Sequence, residues 1–222
     1  MPRPTKATGG AFPYQANIFY VRADGNDSAD GLSLGNAWKT LGRAIKALRP
    51  GDTVYLEPGT YQADIDLQFH GETGKPISFR GRGINPVVIQ GGLRVKDSSQ
   101  VDFRRLNFSA EVKVDKSNGI AFDNCKWTAE GTALKAAGVS GLRLTHCVFT
   151  GFQEAAIALK SCSKTYLAGN LFDERGGVAL RMDSADSIEY SNYNSYRQTV
   201  SGWEVAGEML PFAEVQKKHE RQ

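Results

Sequence analysis

Along the middle of the chain, five charged residues each follow an apolar one at intervals near twenty residues: Val95-Lys96, Val114-Asp115, Leu134-Lys135, Leu159-Lys160 and Leu180-Arg181. A lysine amine exchanges protons, and an arginine fork grips a carboxylate through two parallel bonds. These groups act together only if the fold brings them to one face. If the apolar member of each pair points inward along a strand, its successor points outward. Four cations and one carboxylate would then line a single external ladder. Lys160 would stand between Lys135 and Arg181, where neighbouring cations favour the neutral amine that a base requires. An outward row of Lys and Arg is also the ordinary solvated surface of a sheet, and it discourages edge pairing.

Other chemistry-bearing types lead elsewhere. His70 follows the alternating run IDLQFH, His146 falls in a recurring turn position and His219 lies in the tail, with no Ser-His-Asp or Cys-His setting around them. Cys162, in KSCSK, reads as structural. GRGINPVVIQGG is glycine-rich but lies between short strands rather than ahead of a helix, so it is no phosphate loop. DGNDSADG looks like a calcium loop and lacks the terminal Glu of an EF-hand. A net charge of +3 without a Lys- or Arg-rich run gives no argument for nucleic acid. No apolar stretch approaches the roughly 18–20 residues of a membrane span. Three cysteines exclude a complete disulfide framework.

The elements that would position the ladder come from an internal repeat. VDFRRLNF, IAFDNCKW, LRLTHCVF, TYLAGNLF and a fainter IEYSNYNS align on Phe103, Phe122, Leu144, Leu167 and Tyr190, with Leu56 and Phe79 extending the series backwards. Apolar residues alternate within each copy, as in half-buried strands. A period near 22 residues without an internal helical pattern predicts a solenoid of stacked parallel strands. Two residues past each marker stand Arg105, Asn124, His146, Gly169 and Asn192, mostly types that tolerate a left-handed bend. Next come Leu106, Cys125, Cys147, Asn170 and Tyr193 as an interior step. There a Cys125–Cys147 bridge is geometrically admissible, and free buried thiols are the commoner outcome. Phe108, Trp127, Phe149 and Phe172 form an aromatic ladder.

The ends need lids. Residues 18–51 are expected to hold an initial strand, a loop and a capping α-helix. In NAWKTLGRAIKALRPGD, Asn36 would cap the helix and Trp38, Leu41, Ala44, Ile45 and Leu48 would share its buried face. Residues 52–198 are expected as coils of about 19–24 residues. Residues 199–222 form a tail whose PFAEVQKKHERQ starts a short helix at Pro211. Residues 1–17 read as a leader, and MPRPTKATGG lacks the apolar core of a signal peptide.

The segment FYVRADGNDSADGLSLGNAWKTLGRAIKALRPGDTVYLEPGTY resembles the opening of secreted right-handed parallel β-helix proteins related to pectate lyases and other polysaccharide lyases. Strand, loop, helix and first coil follow in that family's order, while the later coils match by repeat pattern only. The resemblance implies an all-β right-handed parallel β-helix, secreted or periplasmic in its parent protein and acting on an acidic polysaccharide by β-elimination. It would use Lys160 and Arg181 as catalytic cations, Lys96 and Lys135 as substrate contacts, and calcium on Asp115, Asp183 and Asp186. The abrupt end at Gln222 admits a different expectation: a truncated scaffold, or a binding or adhesion module without activity, that associates end to end through an open terminal coil.

Overall fold

Each turn of the chain lays down three strands, one on each of three sheets. The computed structural model describes residues 15–173, 176–197 and 201–210. Sheet 1 stacks Ile18–Val21, Thr53–Leu56, Ile77–Gly81, Ser99–Arg104, Asn118–Asp123, Arg143–Thr145, Thr165–Ala168 and Ile188–Asn192 in that order. Sheet 2 stacks Gly59–Gln62, Val87–Gln90, Asn107–Phe108, Lys126–Thr128, Val148–Thr150, Leu171–Asp173 and Ser195–Tyr196. Sheet 3 runs through Ile65–Leu67, Leu93–Lys96, Val112–Asp115, Thr132–Ala137, Ala155–Lys160, Val178–Met182 and Ser201–Val205. Glu208–Leu210 folds back antiparallel on Ser201–Val205, so this part of the tail is a hairpin that extends sheet 3. The helix expected from Pro211 lies outside the described residues.

The interior is built of like-on-like stacks. Val54, Phe79, Phe103, Phe122, Leu144 and Leu167 pair strand to strand and are buried. The first member is Val54, because Leu56 pairs with Gly81 instead. Phe108, Trp127, Phe149, Phe172 and Tyr196 stack with centroids 4.9, 4.8, 5.2 and 5.0 Å apart, the spacing of the strands that carry them. Such ring pairs contribute roughly 0.5–1.5 kcal/mol each beyond the area they bury.

Arg105, Asn124, His146 and Gly169 take left-handed φ values of 55°, 52°, 53° and 65° at the corner between sheets 1 and 2. In the next coil Tyr193 takes that role at 55°, not Asn192. A bulge causes the change: Thr165 pairs with Ile188, but Tyr166 pairs with Tyr190. One extra residue reverses which side chains face inward, so Ser191 occupies the interior step expected for Tyr190. The interior thiols Cys125 and Cys147 are free, and their column continues as amides. Asn170 accepts from the Cys147 N–H at 2.9 Å and donates to the Leu144 carbonyl at 3.0 Å and to Asn194 at 2.9 Å.

At the other end the helix covers only Leu41–Ile45, and Thr40, not Asn36, caps it by accepting from the Arg43 N–H. Trp38 is drawn out of the helix because its N–H pairs with the Tyr20 carbonyl and its ring stacks on Phe19 at 4.7 Å. Gly31 lies under that ring at φ +74°, where any Cβ would meet the indole at 2.4 Å. In the DGNDSADG loop, Asp27 is bound to this lid. Burial would raise its carboxyl, but bonds from the Thr40 hydroxyl and the Thr40 and Lys39 N–H groups outweigh burial and lower it. No helix among the described residues is long and apolar enough to cross a membrane.

Candidate functional site

The outer face of sheet 3 carries two rows of side chains rather than one ladder. The first row runs Asp66, Arg94, Lys113, Lys135, Ala158, Arg181 and Glu204. The second, two residues further along each strand, runs Lys96, Asp115, Ala137 and Lys160. Inside the sheet, Leu134 pairs with Ile157 and Ile157 with Leu180, while Leu159 pairs with Ala136 and Met182. The single ladder therefore joined residues two positions out of register, and Lys160 faces Ala137 rather than lying in line with Lys135 and Arg181. Both apolar positions of each strand point inward, so an error of two residues keeps every side chain on its correct face.

Lys135, Lys160 and Arg181 are nevertheless brought together, on three consecutive strands. Ala158 interrupts the first row between Lys135 and Arg181, and Ala137 lies beside it in the second. Strand spacing puts Lys135 and Arg181 about 9–10 Å apart across this alanine notch. Lys160 stands at its edge, exposed and without an ion pair among the described residues. Most of the other cations are held by carboxylates. Glu111 bridges Lys135 at 2.6 Å and Lys113 at 3.1 Å. Arg181 Nε is 2.9 Å from Glu204, and Arg94 Nε is 3.4 Å from Asp115. Burial raises the Glu111 carboxyl, but the bonds from Lys135 and Lys113 outweigh it and hold the group below its ordinary range. An open groove of about 690 Å³ adjoins Glu111 between sheets 2 and 3, lined also by Ser109, Thr128, Glu130 and Gln153.

Lys96 lies three strands from Lys160, roughly 14 Å by strand spacing, so it borders the same face without reaching the notch. The three aspartates do not converge. Asp115 is tied to Arg94, Asp183 accepts from the Ser161 N–H at 2.7 Å, and Asp186 sits in the turn Ala185–Ser187. Calcium takes about six to eight oxygen ligands. Among the described residues no group of three acidic, His or Cys side chains is poised for a metal. These three aspartates do not form a set that fits that ion. His146 Nδ1 lies 3.2 Å from Asp123 on sheet 1, and His70 is exposed at a coil corner. Sequence reading missed Lys113, Glu111 and Glu204. The alternation in EVKVD signals Lys113 and its neighbour Glu111, whereas the Glu111–Lys135 and Glu204–Arg181 contacts act across strands and have no local signature.

Residues 91–216 match the family model described as right handed beta helix region. Uncharacterized protein YwoF of Bacillus subtilis (strain 168) is 36% identical over 125 residues, which make up 56% of this chain and 26% of that protein. Pectate lyase L of Dickeya dadantii (strain 3937) is 28% identical over 124 residues, 56% of this chain and 27% of the enzyme. The matched segment thus spans about a quarter of each relative. Among solved structures, a pectin methylesterase complexed with a hexasaccharide aligns with a TM-score of 0.55 at 11% identity, covering 87% of this chain and 82% of that one. A rhamnogalacturonan lyase aligns at 0.51 and 12% identity, covering 88% and 64%. The native lacto-N-biosidase from Eubacterium ramulus aligns at 0.53 and 12%, covering 85% and 55%. At such identities the likeness is one of fold.

Proposed function

The chain belongs to the right-handed β-helix family, and from that premise we propose that it binds a uronate-containing polysaccharide across the outer face of sheet 3 and cleaves it by β-elimination. The observation that carries this reading is the alanine notch framed by Lys135, Lys160 and Arg181. A sugar ring rests over Ala137 and Ala158, with its carboxylate between Lys135 and the Arg181 guanidinium, which Glu204 holds by its Nε. Lys160 acts as the base and removes the proton α to that carboxylate. The released electron pair forms the new carbon–carbon double bond as the β carbon–oxygen bond breaks. The leaving oxygen takes a proton from the Lys160 ammonium or from water. Fixed cations beside the carboxylate stabilise the enediolate charge that builds up between these events. A substrate of this kind fits a secreted or periplasmic protein.

The test is ultraviolet absorbance of the unsaturated product during incubation with polygalacturonate and alginate. Replacing Lys160 with Ala should abolish the signal, and undiminished product from that variant would refute the assignment. A second reading, a binding module without turnover, is favoured by the ion pairs that already hold Lys113, Lys135, Arg94 and Arg181. It requires salt-dependent retention of the polymer with no change in chain length.

A further inference from the structure

The outer face of sheet 1 contains a second notch, with a different set of charges. Asp102, Ala121, Arg143, Tyr166 and Tyr190 follow one another across five strands. In the adjoining row Tyr55, Arg80, Arg104 and Asp123 are paired. Ala121 is again the small residue, with Asp102 on the strand before it, Arg143 on the strand after and Asp123 two residues along its own strand. The Arg143 Cζ lies over the Tyr166 ring, 4.4 Å from its centroid, and Tyr166 is stacked on Tyr190 at 4.4 Å and 10°. This arrangement holds the guanidinium plane in place before any ligand arrives.

Asp123 Oδ1 accepts from the Thr145 hydroxyl at 2.8 Å and lies 3.2 Å from His146 Nδ1, but the other charges on this face are not used up by the fold. Asp102, whose side chain is only 17% exposed, accepts no hydrogen bond among the described residues, and its nearest cation, Arg104, is 3.8 Å away. Arg80 Nε is shut off from solvent without a hydrogen-bond partner. Arg143 has the Tyr166 ring and, among the described residues, no ion-paired carboxylate. Buried polar groups normally find partners, so unfilled ones grouped round a gap point to a ligand that fills them. The mixture of signs identifies its chemistry. Guanidinium groups suit a carboxylate, and the Asp102 and Asp123 oxygens suit sugar hydroxyls. A polyphosphate would meet two carboxylates at the centre of the site.

We propose that the Ala121 notch on sheet 1 is a second polysaccharide-binding site, which holds a uronate residue of an acidic glycan between Arg104 and Arg143 with its hydroxyls on Asp102 and Asp123. The site shares a ligand class with the sheet 3 reading but no residue, and it binds whether or not that face performs elimination. Affinity electrophoresis of the full chain through gels containing polygalacturonate or alginate tests it. Arg143→Ala and Ala121→Leu change outward-facing side chains, and circular dichroism checks that each variant is folded. Each is expected to weaken retention roughly tenfold, as loss of one charge-assisted contact does. The weakening should persist in a Lys135→Ala/Lys160→Ala background, where any elimination activity is removed. Three results would overturn the proposal: unchanged retention of both variants, no retention of either polyuronate by the parent chain, or stronger retention by polyuridylate than by both polyuronates. Absence of unsaturated product from the parent chain, with retention intact, would count against the sheet 3 mechanism and leave the sheet 1 site supported.

Discussion

On sheet 3 Ala158 separates Lys135 from Arg181, and on sheet 1 Ala121 separates Asp102 from Arg143. Both are gaps in an outward row, bordered by residues on the strands before and after. Their carboxylates fare differently. Glu111 suffers from burial, yet two lysine bonds more than offset it and its carboxyl is lowered. At Asp102 burial is again the largest influence. Arg104, Arg80 and Arg143 act only from a distance, and the carboxyl is raised. What separates the two is a direct donor: Lys135 and Lys113 reach Glu111, while no side chain among the described residues hydrogen-bonds Asp102. The Glu111 carboxylate is electrostatically closed by its lysines, and the Asp102 carboxylate is left open.

The contrast can be broken in graded steps. The largest effect is expected from Lys160→Ala, which should reduce formation of unsaturated product by roughly a hundredfold or more while leaving retention on sheet 1 unchanged. Comparable product from parent and variant would remove sheet 3 as the reacting face. Next, Glu111→Gln leaves Lys113 and Lys135 adjacent without their bridge, and should lower stability at neutral pH by about 1 kcal/mol in urea titrations. Because the folded-state pKa of Glu111 is depressed, its contribution is present above its ordinary value of 4.5 and lost as pH falls through the folded pKa. The variant should therefore lose less stability than the parent on acidification, and parallel curves would show the bridge to be inert. Asp102→Asn is the smallest change and has the opposite sign. A raised pKa means that the folded state holds its proton longer, so the parent loses stability as pH rises from the ordinary 3.8 through the folded value. The variant should be more stable than the parent at neutral pH by less than about 1 kcal/mol, and a less stable variant would mean that Asp102 is satisfied after all.

How much of this was legible in the sequence depends on the distance over which each feature is encoded. The stacked strands, the aromatic ladder and the left-handed corner could be read because each is a repeated local pattern with a side-chain reason. The alignment of Val54 rather than Leu56, and of Leu134 with Ile157 rather than Leu159, could not. Loops of unequal length separate strands that each carry two inward apolar residues, and both alignments bury the same surface. The bulge opposite Tyr166 hides a one-residue insertion, which sends Tyr190 outward onto its stacking partner. Lys135, Lys160 and Arg181 were named for a row they do not share, yet they surround one gap, because a shift of two residues moves a side chain along the face without removing it. The sheet 1 notch had no signal at all, since Asp102, Arg104 and Arg143 are ordinary polar members of alternating strands until the coils are stacked.

The free thiols record something else about this architecture. Cys125 and Cys147 sit on successive coils at the corner between sheets 1 and 2, and Cys162 lies at the corner between sheets 3 and 1. Burial raises the pKa of both Cys125 and Cys162, leaving them in the unreactive thiol form. An alkylating reagent can reach Cys125 only when neighbouring coils part. The rate at which each sulfur is capped is therefore a clock for the separation of its own corner, and the three clocks together would show from which edge the coil begins to unwind.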